Sequence, residues 1–457
     1  MEFLAAYDAI PQADAARRVG LLRQQLKADG PAVLRELRER RPVFATPVGV
    51  FVTRMPDVVE VLSTPDVFTV GVYGPVLEEA LHGPFMLARD GADVHWHDRA
   101  HAQLMLPPED FAPVRRLTAR IGDDALDRAI AVARIEGRTT FDYVRQYAAP
   151  VAARVAREYL GFTDVPEETL HGLSQRVQRA VFVNQERDPE VHASGVAAGK
   201  ELHDIVAGVI GRRRAAGVRP GGPGGPAGDG AVAGAGAAGG GAAGDGTPDD
   251  VLGRMLRTAL PPGTGRELDD ERVNHQLVGF LIGYQQNAAQ CATTALKELV
   301  SRPDELARAE RAAAEEDTAV FDGYVWEALR FHPFVPSTPR LCVRDHVLAA
   351  GTPRETRLPA GTVVHAHMAS AMFDETVVAD PYDFRPGRTP VHNMVLGHGA
   401  HECVGKYPAR AIVPEMVRRV LLRPGVRPLP GGERALDYAG TPYPQHYTVT
   451  AGATASS

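Results

Sequence analysis

The run Met394–Pro408, Met-Val-Leu-Gly-His-Gly-Ala-His-Glu-Cys-Val-Gly-Lys-Tyr-Pro, sets Cys403 among glycines and histidines just ahead of an apolar helical run. Gly397, Gly399 and Gly405 let the backbone bend and approach a flat partner closely, and N–H groups in such a loop can point at a thiolate and temper its electron donation. That chemistry suits an axial ligand to iron. A buried structural cysteine in a Gly-rich turn is the plainer alternative.

Three further groups of residues have chemistry to offer. His95 and Arg99, and likewise His97 and His101, are four apart and so share helix faces. Two histidines at that spacing suit a metal, but no Glu stands in the zincin position and no third ligand is evident. Glu327 and Arg330, in Tyr-Val-Trp-Glu-Ala-Leu-Arg-Phe-His-Pro, are three apart and can pair on a helix face. Gly283, Tyr284, Gln285, Gln286, Asn287 and Gln290 bring amides into an apolar segment, and buried amides need partners.

The elements that must hold these residues are mostly helical. A long helix is expected from about Asp269, with acidic cap signals, to Val300, ahead of Pro303. Apolar residues nearly encircle it, so it should be central. Ala15–Arg40 reads as one or two polar helices, residues 41–54 as a hairpin turning near Pro47 and Gly49, and a short helix follows from Pro56. Asp66–Pro84 mixes Gly, Pro and aromatics and is expected to be a long substrate-facing loop. Leu117–Ala216 is mostly helical by pattern, with breaks around residues 161–167, and 362–366 alternates as a strand. Pro408 is tolerated in a first helical turn, whereas Pro414 should kink the helix that carries it. Residues 217–246 are nearly pure Gly, Ala and Pro and are expected to be a disordered loop insertion in a single domain, 1–457.

At 457 residues with 44% hydrophobic content, the chain can bury a sizeable core. A net charge of −7 argues against nucleic acid or an anionic membrane surface as the main partner. Cys291, Cys342 and Cys403 make neither a disulfide framework nor a zinc pattern, which points to a reducing compartment. The N-terminal residues carry early acids and no long apolar run, so the expectation is a cytoplasmic protein without a membrane anchor.

The cysteine loop resembles the haem-ligand loop of the cytochrome P450 family, Phe-x-x-Gly-x-His/Arg-x-Cys-x-Gly, at Gly399, His401, Cys403 and Gly405, with Leu396 where the family usually has Phe. Glu327 and Arg330, followed by Pro333, Pro336, Arg340 and Arg388, are similar to the family's Glu-x-x-Arg helix and its later Arg. His95 and Arg99 match its His-x-x-x-Arg. The resemblance covers most of the chain from Arg41 onward. It implies a mainly α fold with small β-sheets, triangular, with haem b between the long central helix and the cysteine loop. Cys403 is then the proximal thiolate, and His95, Arg99, Arg340 and His401 bind the haem propionates. Gly397 and Gly405 belong to the cofactor loop, and Glu327, Arg330 and Arg388 form the network that positions it.

By the same resemblance the activity is monooxygenation of a small apolar substrate, using O2 and electrons from a ferredoxin and its reductase. Gln286 and Asn287 stand at the family's acid–alcohol position, where a carboxamide can hold an oxygen but does not titrate near neutral pH. Asn287 and Gln290 also resemble the Asn-x-x-Gln of the hydroperoxide isomerase branch, which needs neither O2 nor reductase. A third reading is a haem-binding protein of this fold that does not catalyse. Substrate walls are expected from residues 72–86, the Gly283 region and residues 335–337.

Overall fold

The computed structural model describes residues 2–184, 188–218, 249–258, 269–429, 436–438, 441 and 443–452. It is mainly helical. Among the described residues there are one five-stranded sheet and two of two strands. The chain forms two compact units, the first made of Met1–Pro75, Leu87–His95 and Trp326–Cys403, the second of Val76–Met86, Trp96–Val325 and Val404–Ser457.

In the first unit a short helix, Phe3–Asp8, precedes Ala15–Arg40, which is capped by the Asp14 carboxylate accepting from Arg17 N at 3.1 Å. It leaves helical geometry at Asp29 (φ −154°, ψ 69°), two residues before Pro31, so the choice between one helix and two resolves into two helices that meet at a kink. The hairpin Val43–Thr46 with Gly49–Val52 follows, its turn held by Thr46 Oγ1 donating to Gly49 O at 2.7 Å. In the larger sheet the spatial order is Val43–Thr46, Gly49–Val52, Val363–Ala366, Thr338–Cys342, Phe68–Thr69. Only the pairing of Val50 with Val364 and its neighbours is parallel. Phe3, Tyr7, Leu37, Phe44 and Phe51 pack beside it as a buried cluster.

Asp66–Pro84 is not a loop throughout. Phe68–Thr69 is an edge strand and Gly74–Leu81 is a helix. Leu77, Ala80 and Leu81 are buried along one face of that helix, a periodicity that the glycine and proline content obscures.

The second unit is built on the helices Phe111–Ile135, Ala149–Leu160, Glu167–Gln178, Pro189–Ala215, Asp270–Val300 and Lys406–Leu422. Asp269 caps the long helix by accepting from Arg272 N at 2.8 Å, and Asp270 and Glu271 place negative charge where the helix dipole is positive. Almost every residue of its middle is buried. The helical reading of 117–216 missed a strand, Thr140–Asp142, which pairs antiparallel with Thr448–Thr450. His95 also falls outside a regular helix. Ala92–Trp96 is a π turn, and the α-helix begins at His97 and runs to Met105.

Lys406–Leu422 continues through Pro414 as one helix, so the expected kink does not interrupt it. Pro414 forfeits one N–H, while Val413, Met416 and Val417 stay packed around it. From residue 219 the Gly/Ala/Pro-rich run lies outside the described residues. No described helix is long and apolar enough to cross a membrane.

Candidate functional site

In the first unit the cysteine loop is folded back on itself. Cys403 N donates to Leu396 O at 2.8 Å and Gly397 N to Met394 O at 2.9 Å. Gly397 and Gly399 take φ of 80° and 71°, a region that side chains avoid. At Gly399 a Cβ would also run into the backbone carbonyl of Leu62, so only glycine fits there. Exposure separates the three thiols: Cys291 and Cys342 are buried and Cys403 is half-buried. Cys342 Sγ donates to Arg344 O at 3.0 Å, and burial pushes its pKa up, so it is a packed, protonated thiol.

Around the loop the first unit gathers nitrogen donors. His95 Nε2 is 2.9 Å from Ala400 O, and the His95 and His401 ring centroids are 4.1 Å apart. His401 Nε2 lies 3.0 Å from Asp90 Oδ1, and Asp90 Oδ2 accepts from Val70 N at 2.8 Å. Burial holds the His401 pKa down to about 4 against the pull of the Asp90 hydrogen bond, with His95 and Arg340 adding to the depression. At neutral pH His401 therefore offers a hydrogen bond and no charge. Arg340 is the fixed cation of the cluster. It is buried, donates to Thr338 Oγ1 at 2.8 Å and Pro339 O at 3.0 Å, and lies beside Tyr73. Among the described residues no carboxylate pairs with it.

Glu327, Arg330 and Arg388 come together. Arg330 Nε and Nη2 each donate to Glu327 at 2.8 Å, and Arg388 Nε donates to Glu327 Oε1 at 3.0 Å. Arg385 N adds a bond to the same oxygen at 2.9 Å. Arg330 is fully buried, donates to Met372 O and Pro381 O at 3.1 and 2.7 Å, and lies 4.6 and 4.5 Å from the Phe331 and Phe373 ring centroids. Asn393 Nδ2, just ahead of the cysteine loop, donates to Trp326 O at 3.1 Å. The network thus ties the end of the helix Ala319–Phe331 to the segment that leads into Cys403.

The remaining candidates belong to the second unit. Arg99 is buried, as is His101, neither of whose ring nitrogens has a hydrogen-bond partner; the His97 and His101 centroids are 6.5 Å apart. Gly405 stands at the N-cap of Lys406–Leu422. On the long helix Gln286 is buried, Gln290 Nε2 donates to Pro444 O at 3.0 Å, and half-buried Asn287 accepts from Gln178 Nε2 at 2.6 Å. Asp90, Tyr73 and Gln178 escaped sequence reasoning. Only Gln178 left a trace, as an amide on the face that Leu170, Leu173 and Val177 make apolar.

The sequence model of the family described as cytochrome P450 matches residues 263–438, a span that contains Glu327, Arg330, Arg340, Arg388 and Cys403. Over that span the chain is similar to the cytochrome P450 family. Similar curated proteins are the steroid C26-monooxygenase of Mycolicibacterium smegmatis, 28% identical over 38% of this chain and 40% of that protein, and the cyclomarin C epoxidase CymV of Salinispora arenicola, 31% identical over 35% and 38%. The monooxygenase PikC of Streptomyces venezuelae is 28% identical over 38% and 39%. The chain therefore aligns with about two fifths of the length of these relatives. In fold the agreement is wider. The ligand-free structure of the cytochrome P450 TbtJ1 superposes with a TM-score of 0.72 at 21% identity, over 92% of this chain and 96% of that one, and CalO2 with 0.71 at 23%, over 93% and 96%.

Similarity to the cytochrome P450 family points to haem with a cysteine thiolate on its iron. The first unit suits such a group. A half-buried cysteine sits in a glycine loop, and a buried guanidinium without a carboxylate partner among the described residues lies in the same unit. A buried unpaired cation is costly unless an anion meets it, and the haem propionates are such anions.

Proposed function

We propose that this chain is a cytochrome P450 monooxygenase that oxidises a small, largely apolar organic molecule, using O2 and electrons from a ferredoxin and its reductase in the cytoplasm. The observation that carries the reading is buried Arg340, without a carboxylate partner among the described residues, in the same unit as the half-buried Cys403 loop. Cys403 holds the iron of haem b, and Gly397, Gly399 and Gly405 let the backbone approach it. Arg340 and Arg99 supply charge and N–H donors to the propionates, and His95 and His401 complete that side of the site. Thiolate-ligated haem, when bound, supplies the activation of O2 that places oxygen on carbon.

The chain's own residues govern binding and protons. Glu327, Arg330 and Arg388 hold the loop in place. Gln286 and Asn287 can hold a water or a ligand oxygen, but a carboxamide does not titrate near pH 7, so water must relay the protons. The hydroperoxide isomerase reading is not favoured. Gln290 Nε2, the donor of one of the amides it relies on, is engaged by Pro444 O, and the relatives' names are those of monooxygenases and an epoxidase.

The test is turnover of the haem-loaded protein with ferredoxin, reductase and NADPH on a panel of apolar molecules beginning with steroids. The expected result is product carrying oxygen from labelled O2, formed only with reductant. Consumption of fatty-acid hydroperoxide without reductase, and no reductant-dependent product, would overturn it.

A further inference from the structure

Gln178 and Asn287 come from helices 109 positions apart and meet through one short hydrogen bond, Nε2 to Oδ1, at 2.6 Å. That single bond is the only hydrogen bond that either side chain makes among the described residues. Each carboxamide has a donor end and an acceptor end, so the bond uses one end of each and leaves Asn287 Nδ2 and Gln178 Oε1 without a partner among the described residues. Turning both amides over would exchange the roles and still leave one N–H donor and one C=O acceptor. The result is independent of how the amides are assigned. A free donor beside a free acceptor is the complement of a group that itself both accepts and donates.

The surroundings show that this edge is open rather than sealed. Asn287 is half-buried while Gln285, Gln286, Ala288 and Ala289 beside it are buried. One helical turn earlier Gly283 is exposed, and a Cβ added there would meet nothing within 4 Å. The nearby amide of Gln290 is in the opposite situation: its Nε2 is bonded to Pro444 O and its Oε1 is enclosed. Gln178 is itself buried on the packed face of Glu167–Gln178, so it holds the Asn287 amide at a fixed angle. An amide held by a buried neighbour loses little further freedom when a ligand arrives, which favours discrimination.

We propose that Gln178 and Asn287 form a two-point reader for a substrate head group that is both acceptor and donor, namely a secondary amide or a hydroxyl, on an otherwise apolar molecule. This rests on the monooxygenase reading, in which the long helix faces substrate. Asn287 Nδ2 donates to the carbonyl or hydroxyl oxygen, and Gln178 Oε1 accepts the amide or hydroxyl proton. Neither residue exchanges a proton with the reacting atoms, so both are positioning residues. A substrate lacking the donor leaves the glutamine oxygen desolvated and unpaired, and a site built to bond a polar group rejects its mismatch more strongly than an apolar wall does.

Calorimetric titration of the haem-loaded protein tests this with matched probes on linear octyl, cyclohexyl, naphthyl and adamantyl bodies. Each body carries an N-methyl amide, an N,N-dimethyl amide or a methyl ester. On at least one body the N-methyl amide should bind about tenfold tighter than both others. Asn287→Leu and Gln178→Leu should each reduce that preference to about twofold or less, and the double variant should lose no more than either alone. Binding that falls equally for all three head groups in the variants would show a wall, not a reader, and would overturn the proposal. So would a panel with no body preferring the N-methyl amide. The reduced CO spectrum, recorded on the same samples, separates the two levels. A thiolate spectrum with no head-group preference removes the reader and leaves the haem-thiolate reading standing, whereas failure to bind haem removes both.

Discussion

Glu327 shows how much one side chain can hold when water is excluded. Its carboxylate, 3% exposed, meets Arg330, Arg388 and the Arg385 backbone N–H, so its oxygens are saturated and two guanidinium groups depend on it. Removing it leaves buried Arg330 uncompensated, a cost of about 3 to 5 kcal/mol. Glu327→Ala should therefore lower the urea unfolding midpoint and yield little haem-containing protein. A variant with wild-type stability and haem content but slower turnover would assign Glu327 to chemistry instead. Arg340 is the converse case. It is a buried cation with side-chain and backbone oxygen partners and, among the described residues, no carboxylate, which is why it is proposed to meet a propionate.

The cysteine loop is the element whose shape is most tightly dictated by one residue type. Gly399 combines φ of 71° with a backbone carbonyl, that of Leu62, in the space where a Cβ would go, and a backbone atom cannot swing aside as a flexible side chain can. Gly399→Ala should thus disturb the turn that carries His401 and Cys403 and cut haem incorporation several-fold. Gly283→Ala, where an added methyl meets nothing within 4 Å, is the matched control and should leave haem content unchanged. Pigment absorbance per mole of purified protein checks both. Equal haem content in all three proteins would mean that the loop does not depend on that turn. The long helix shows how capping sets a boundary: Asp269, Asp270 and Glu271 act locally, and the helix starts one residue after its cap.

For the molecule as a whole, what could be read from sequence was what is encoded locally. The cap at Asp269, the hairpin near Pro47, the Glu327–Arg330 spacing and the glycine-rich cysteine loop each lie within a few residues. Their geometry follows from propensity and period. The unread parts are pairings between distant residues. Asp90 meets His401 across 311 positions and Gln178 meets Asn287 across 109, and nothing local to either partner announces the other. Thr140–Asp142 is only 3 residues long and owes its pairing to Thr448–Thr450. The π turn Ala92–Trp96 sets His95 apart from the helix that carries Arg99, a change of geometry that spacing alone does not register.

The claim that joins these scales is that Cys403 is a thiolate ligand to haem iron. The most direct measurement is the absorption spectrum of the dithionite-reduced, CO-treated protein beside that of Cys403→Ala. The account predicts the strongly red-shifted Soret band for which the family is named in the wild type, and its loss in the variant. A Soret band at the unshifted position of histidine-ligated haem in freshly folded wild type, or an unchanged spectrum in Cys403→Ala, would contradict it.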